Sequence, residues 1–114
     1  MAEYTVLEKE VEYIPVWDGN RDKTEPITFT LRYLTNAQRS ACMKNIFDAD
    51  GNSLLDIDNA ALVKNGVVNI ENFKVNGKEI TTAREFNALT SFHELHTEVA
   101  VQIAVLNGRQ DSKN

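Results

Sequence analysis

The strongest constraint on the fold is the stretch from Pro26 to Arg39, Pro-Ile-Thr-Phe-Thr-Leu-Arg-Tyr-Leu-Thr-Asn-Ala-Gln-Arg. Ile27, Phe29, Leu31 and Tyr33 alternate with Thr28, Thr30 and Arg32, the period-two pattern of a half-buried strand. Thr35 then stands three residues before Gln38, the spacing of a capping box that opens a helix. A strand joined to a helix by almost no linker obliges that helix to fold back close to the sheet it leaves. The expected class is therefore α+β.

The strand needs a partner, and residues 5 to 16 supply one. Leu7, Val11 and Tyr13 share one parity while Glu8, Glu10 and Glu12 share the other, with Lys9 on the inner parity as the single flaw. Pro15 cannot donate to a ladder and marks an edge or a strand end. Between the two strands runs the polar loop Trp17 to Glu25, with turn chemistry at Asp18-Gly19-Asn20. A long antiparallel hairpin is the simplest pairing, with its glutamates facing Thr28, Thr30 and Arg32 on the wet side. Trp17 at the base of the loop reads either as a core plug or as a partner anchor.

Beyond Thr35 the helix is expected to run through about Phe47, with Ala41, Cys42 or Met43, Ile46 and Phe47 supplying its inner face. Cys42 is the only cysteine, so no internal disulfide can form, and its apolar neighbours predict a buried, inert thiol. Asp48 to Asn59 imitates a calcium loop, placing oxygen donors at loop positions one, three, five and nine (Asp48, Asp50, Asn52, Asp56). Position six is Ser53 where a sharp turn needs glycine, and position twelve is Asn59 where a bidentate Glu belongs. A polar loop between helices, whose acids cap the next helix, is the expectation, with incidental cation binding as the alternative.

A short helix, Asn59 to Lys64, stops at Asn65-Gly66. Val67, Val68 and Ile70 begin an extended segment, and the change of parity to Phe73 and Val75 requires a turn or bulge near Glu71-Asn72. Asn76-Gly77 is the residue pair of a type I′ turn. It predicts a second small hairpin with Val75 facing Lys78, Lys74 facing Glu79 and Phe73 facing Ile80, stable only if Phe73 and Ile80 dock on the main body. Thr82 to Glu85 is a second capping box, with Phe86 and Leu89 inward, and Ser91 to Glu94 a third. The last opens the longest helix, to about Leu106, with Phe92, Leu95, Val99, Ile103 and Leu106 in one stripe. Val101 and Val105 fall on nearly the opposite side, so this end is covered twice, by its own domain or by a partner.

The whole reads as an N-terminal antiparallel β-hairpin or sheet packed against about four short helices. Residues 1–108 form a single domain and 109–114 a disordered polar tail. A chain of 114 residues buries roughly 65% of its unfolded surface, enough for one core. The net charge of −5 disfavours nucleic acid and acidic membranes, which need basic clusters. The start Met-Ala-Glu-Tyr lacks a leader pattern, and no apolar run approaches the ~20 residues of a membrane span, so the expected place is the cytoplasm.

Chemistry is not signalled. His93 and His96 flank Glu94 but are three apart, whereas a zincin helix needs His-Glu-x-x-His; both are read as a solvated helix face. Glycines are scattered at turns instead of forming a phosphate loop, and no Gly-x-Ser-x-Gly elbow exists. The expectation is no catalytic residue, no metal, no cofactor and no enzyme activity. The residues singled out for protein contact are Trp17, Val101 and Val105.

In order, the chain carries Ile27-Thr-Phe-Thr-Leu-Arg-Tyr-Leu-Thr-Asn-Ala-Gln-Arg39, then Ala61-Leu-Val-Lys-Asn-Gly-Val-Val-Asn-Ile-Glu-Asn-Phe-Lys-Val-Asn-Gly-Lys-Glu-Ile80. Thr82-Ala-Arg-Glu-Phe and the helix Leu95-His-Thr-Glu-Val-Ala-Val-Gln-Ile-Ala104 follow. Over Glu12 to Leu106 this resembles small structural-operon proteins of tailed bacteriophages and prophages, most nearly the tail assembly chaperone-like group. The resemblance implies a non-enzymatic protein that binds exposed apolar parts of tail tube or tape-measure subunits during virion assembly, in the host cytoplasm; a homo-oligomer is a separate expectation, from the apolar end of the last helix. It carries no residue-level binding motif onto this chain. The residues also admit a cytosolic adaptor or regulatory domain with no viral role, and a weak cation-binding domain through Asp48 to Asp56.

Overall fold

A computed structural model describes residues 1–5 and 10–108. The expectations for Leu7, Glu8 and Lys9 and for the tail 109–114 lie outside the described residues.

The fold is α+β and is organised around β2 (Thr28–Arg32), the central strand of a three-stranded antiparallel sheet. On one side it pairs with β1 (Glu10–Tyr13), Glu10 opposite Arg32 and Glu12 opposite Thr30, as the alternation required. On the other it pairs with β5 (Val67–Glu71). The apolar parity is buried at Ile27, Phe29 and Leu31, whereas Tyr33, expected to share that face, lies past the end of the strand and is exposed, as is Arg32. Between β2 and β5 the register shifts at Thr30/Leu31, leaving Val68 as the extra, exposed residue of a bulge. That bulge lets both Val67 and Ile70 face inward. Asn72, at φ +64°, then turns the chain out of the strand.

The helix after β2 is shorter than its sequence predicts. Thr35 and Gln38 form the reciprocal capping box, but α1 spans only Asn36–Cys42. Residues expected to continue it form β3 (Met43–Phe47), which pairs antiparallel with β4 (Ser53–Ile57), Lys44 opposite Asp56. The interhelix loop expected at Asp48 to Asn59 is therefore mostly a hairpin. Asp-Ala-Asp-Gly-Asn closes it. The Asp48 N–H donates to the Asn52 carbonyl, the Gly51 N–H donates to the Asp48 carbonyl, and Gly51 sits at φ +82°. A three-residue loop with glycine in the left-handed position is an ordinary hairpin connection. Asn, Ile and Phe are weaker helix formers than Leu or Ala, so cross-strand pairing overrides the marginal helix. The Asp58 N–H on the Cys42 carbonyl, at 2.8 Å, ties the base of this arm together. Cys42 is buried as expected, whereas Ala41 and Phe47, expected inside, are exposed.

Asp58 caps α2 (Asn59–Gly66) through its carboxylate on the Ala61 N–H. The Asn76-Gly77 hairpin forms as β6 (Lys74–Val75) and β7 (Lys78–Glu79) in the expected register, with both turn residues at positive φ. Phe73 and Ile80 are buried at its base, and the Ile80 N–H donates to the Phe73 carbonyl. Thr82 and Glu85 make the second reciprocal capping box at α3 (Ala83–Asn87). The last helix, α4 (His93–Gly108), begins one residue later than Ser91 predicts. The His96 N–H donates to the Phe92 carbonyl, so Phe92 is the N-cap residue, held at φ +69°. Its ring lies edge-on to Trp17 at 5.7 Å and to Phe73 at 5.4 Å.

One buried cluster joins these elements: Phe29 and Leu31 of β2, Ile70 of β5, Leu62 and Val63 of α2, Phe86 of α3, and Leu95, Val99 and Ile103 of α4. Gly66 sits where α2 meets α4. A Cβ there would stand 2.7 Å from Ile103 Cγ2, so this glycine is required by close approach. No helix among the described residues is long and apolar enough to cross a membrane.

Candidate interaction surfaces

The loop from Trp17 is held at both ends by side chains that its own sequence does not advertise. Asn20 is fully buried inside the turn Trp17–Asp22. Its Nδ2 donates to the carbonyls of Pro15 (2.9 Å) and Ile27 (3.0 Å), and its Oδ1 accepts from the Ile27 N–H at 2.8 Å. Its donation to the Ile27 carbonyl stands in for the ladder hydrogen bond that Pro15, with no N–H, cannot give, and the three bonds clamp the chain after β1 against the start of β2.

The second clamp comes from α4. Glu98 accepts from the Tyr13 hydroxyl (2.5 Å), the Val16 N–H (2.8 Å) and the Trp17 N–H (3.2 Å). Burial, and then the carboxylate it donates to, push the Tyr13 phenol up to about 12. Arg21 adds a guanidinium 5.8 Å from the Tyr13 ring centre, while its Nε donates to the Ile14 carbonyl.

This geometry places the three residues chosen from sequence. Trp17 is half-buried against Phe92 at the edge of the core, so its ring is chiefly structural. Val101 is 48% exposed, whereas Val105 is half-buried. Val101 follows Glu98 by three residues, which puts it on the same flank of α4 as the loop base that Glu98 holds. Val16, on that loop base, is 55% exposed. Trp17, Val16 and Val101 thus belong to one side of the molecule, with Val101 and Val16 outermost.

The second surface is the β3–β4 arm, which spacing did not suggest. Apart from its own pairing, its extensive contact is with α1. Phe47 is 71% exposed and Leu54 48% exposed. By register Met43, Phe47 and Ile57 lie on one face, and Lys44, Leu54 and Asp56 on the other. The signal that could have found it is Asp-Ala-Asp-Gly-Asn between two short β-prone runs, which imitates a calcium loop only because both need an acid followed by glycine.

The Asp48 carboxylate serves that turn. Its Oδ1 accepts from the N–H groups of Asp50 and Asn52, both at 2.9 Å, and the Asn52 hydrogen bond leads in holding its pKa below the usual range. Asp56 stands on β4 opposite Lys44. Among the described residues no group of three or more His, Cys, Asp or Glu converges as a metal site.

His93 and His96 separate in role. His93 is exposed, but His96 is half-buried, tilted against Phe86 at 5.2 Å, which corrects the solvated-face reading. Asn87 donates its Nδ2 to the Ala60 carbonyl, so its Oδ1 is the atom 2.7 Å from His96 Nε2. Nε2 therefore carries the hydrogen and donates. Burial, and secondarily the charge of His93, lower the His96 pKa.

Compared with models of protein families, with curated proteins and with solved structures, the chain matches none of them.

Proposed function

We propose that the protein is a non-enzymatic assembly factor of the tail chaperone kind, holding exposed apolar segments of tail tube or tape-measure subunits during virion morphogenesis. The resemblance over Glu12 to Leu106 suggests the setting. The observation that carries the binding role is the Val16–Val101 flank: two exposed branched residues on a backbone that Glu98 fixes through Val16 and Trp17. Apolar side chains presented on a rigid support bind at low entropic cost, because little has to be ordered on contact. The acidic balance of the chain keeps such a surface soluble between encounters.

The test is capture from prophage-induced cells with tagged chain, comparing wild type with Val101→Glu. Tail tube or tape-measure subunits should be recovered with the wild type and depleted at least about tenfold with the variant, as for loss of one central apolar anchor. Recovery of neither subunit by the wild type, or equal recovery by a folded Val101→Glu chain, removes this reading.

A further inference from the structure

We infer that the β3–β4 arm of one copy docks into the groove between the β6–β7 hairpin and α3 of a second copy, building a head-to-tail assembly. The inference stands apart from the identity of any tail partner, because both surfaces belong to this chain.

A two-stranded hairpin is marginal in water unless it packs on something, and among the described residues this one has no third strand. Among its described residues the most exposed large apolar side chain is an aromatic ring, Phe47, at 71% exposure beside the acidic turn. Aromatic side chains are enriched at protein interfaces, where they serve as anchors once covered. The arm and its base, Met43 to Asp58, carry Asp48, Asp50, Asp56 and Asp58 against the single base Lys44. The occupied site therefore needs an apolar floor and a basic rim.

The groove between the Asn76-Gly77 hairpin and α3 has both. It measures about 830 Å3, floored by Val75, Ile80, Ala88 and Leu89, with Lys78 and Arg84 among its lining residues. The acid that also lines it, Glu85, is already engaged. Its Oε1 accepts from the Thr81 and Thr82 N–H groups, and its Oε2 lies 3.6 Å from Lys78. The exposed guanidinium of Arg84 makes no ion pair or hydrogen bond among the described residues, and neither does the exposed carboxylate of Asp50. Phe47 over Val75 and Leu89, with Asp50 against Arg84, satisfies both surfaces at once.

Arm and groove have no extensive contact within one molecule. The contact is then between different patches on successive copies, which closes into a ring or continues as a filament.

The test uses the purified full chain in sedimentation velocity from micromolar to millimolar protein. Wild type should exceed the 12.8 kDa monomer mass increasingly with concentration. Phe47→Ser and Arg84→Glu should each weaken association at least about tenfold. Both sites are exposed, and an acid in the first turn of α3 suits its helix dipole, so circular dichroism should be unchanged. An equimolar mixture of the two variants should recover a two-chain complex, because one supplies an intact groove and the other an intact arm. Asp50→Lys should weaken association alone and restore it when combined with Arg84→Glu. The proposal is overturned by a wild type that stays monomeric throughout, by either folded variant assembling like the wild type, or by a mixture that stays monomeric. Should Phe47→Ser lose its fold, the charge exchange between residues 50 and 84 decides alone, and failure to restore association overturns the proposal.

Discussion

The Tyr13 hydroxyl donates to the Glu98 carboxylate at 2.5 Å, joining the edge strand of the sheet to the last helix across 85 positions of sequence. The same carboxylate receives the Val16 and Trp17 N–H groups, so one side chain of α4 sets where the first loop begins. Glu98→Gln keeps the shape but turns a donor group toward three donors. The expected loss is about 1–3 kcal/mol in urea unfolding, and a cycle with Tyr13→Phe should show coupling between the two.

The Tyr13 phenol, raised to about 12, gives that contact an alkaline signature. A folded-state pKa above the unfolded value of 10.0 means the stabilisation is complete below pH 10 and is lost as pH rises toward 12. Tyr13→Phe should flatten that limb of the stability curve. An unchanged alkaline limb would show that Tyr13 does not control it.

Asn20 fills three hydrogen bonds at zero exposure. Asn20→Leu, similar in volume, strands the Ile27 N–H and two carbonyls inside the protein. Stability should fall by at least about 2 kcal/mol, with thermal denaturation as the readout. A loss below about 0.5 kcal/mol would mean that water reaches these groups.

Gly66→Ala places a methyl where Ile103 Cγ2 stands 2.7 Å away. Alanine is the better helix former, yet overpacking should dominate and cost about 1–3 kcal/mol. The cost should shrink in an Ile103→Ala background, where the opposing atoms are gone. Equal costs in both backgrounds would rule out the clash as the cause.

Glu85, whose carboxyl is brought down to about 2 chiefly by the Thr81 N–H, supplies an acid-side effect. Its depressed folded pKa means the stabilisation is present above the unfolded value of 4.5 and disappears as pH falls toward 2. In Glu85→Gln the acid limb between those values should be shallower in a fluorescence-monitored titration.

His96 acts in a different window. Its folded pKa lies below the ordinary histidine value of 6.5, so the unfolded chain binds the proton more readily and stability declines as pH falls below about 6.5. Replacing His96 with Gln, which retains a donor for Asn87, should remove that slope in equilibrium unfolding measured from pH 7.5 to 5. Persistence of the slope would assign it to another group.

The elements read correctly from sequence are those whose code is short. Thr35 with Gln38, Thr82 with Glu85, Asp58 before α2 and Asn76-Gly77 each solve a local hydrogen-bonding or dihedral requirement within four residues. The alternation of Ile27 to Leu31 and the stripe of Leu95, Val99 and Ile103 announce their buried faces through period alone. The same periodicity sets Val101 and Val105 opposite that stripe, at a helix end expected to be covered on both sides; Val101 is instead exposed, while the half-burial of Val105 depends on what packs beside it.

The tertiary structure decided the rest because its deciding partners lie far away in sequence or compete with a weak local preference. Met43 to Phe47 could extend α1, and became a strand only by pairing with Ser53 to Ile57. Asn20 reads in sequence as a turn residue, yet Pro15 and Ile27 close around it, and Glu98, which no motif marks, is met by Tyr13 and Trp17. Residue type and spacing determined most of the elements this chain forms, the β3–β4 arm excepted. Only packing could determine which polar side chains those elements share, since a hydrogen bond joining positions 85 residues apart leaves no periodic trace in the sequence between them.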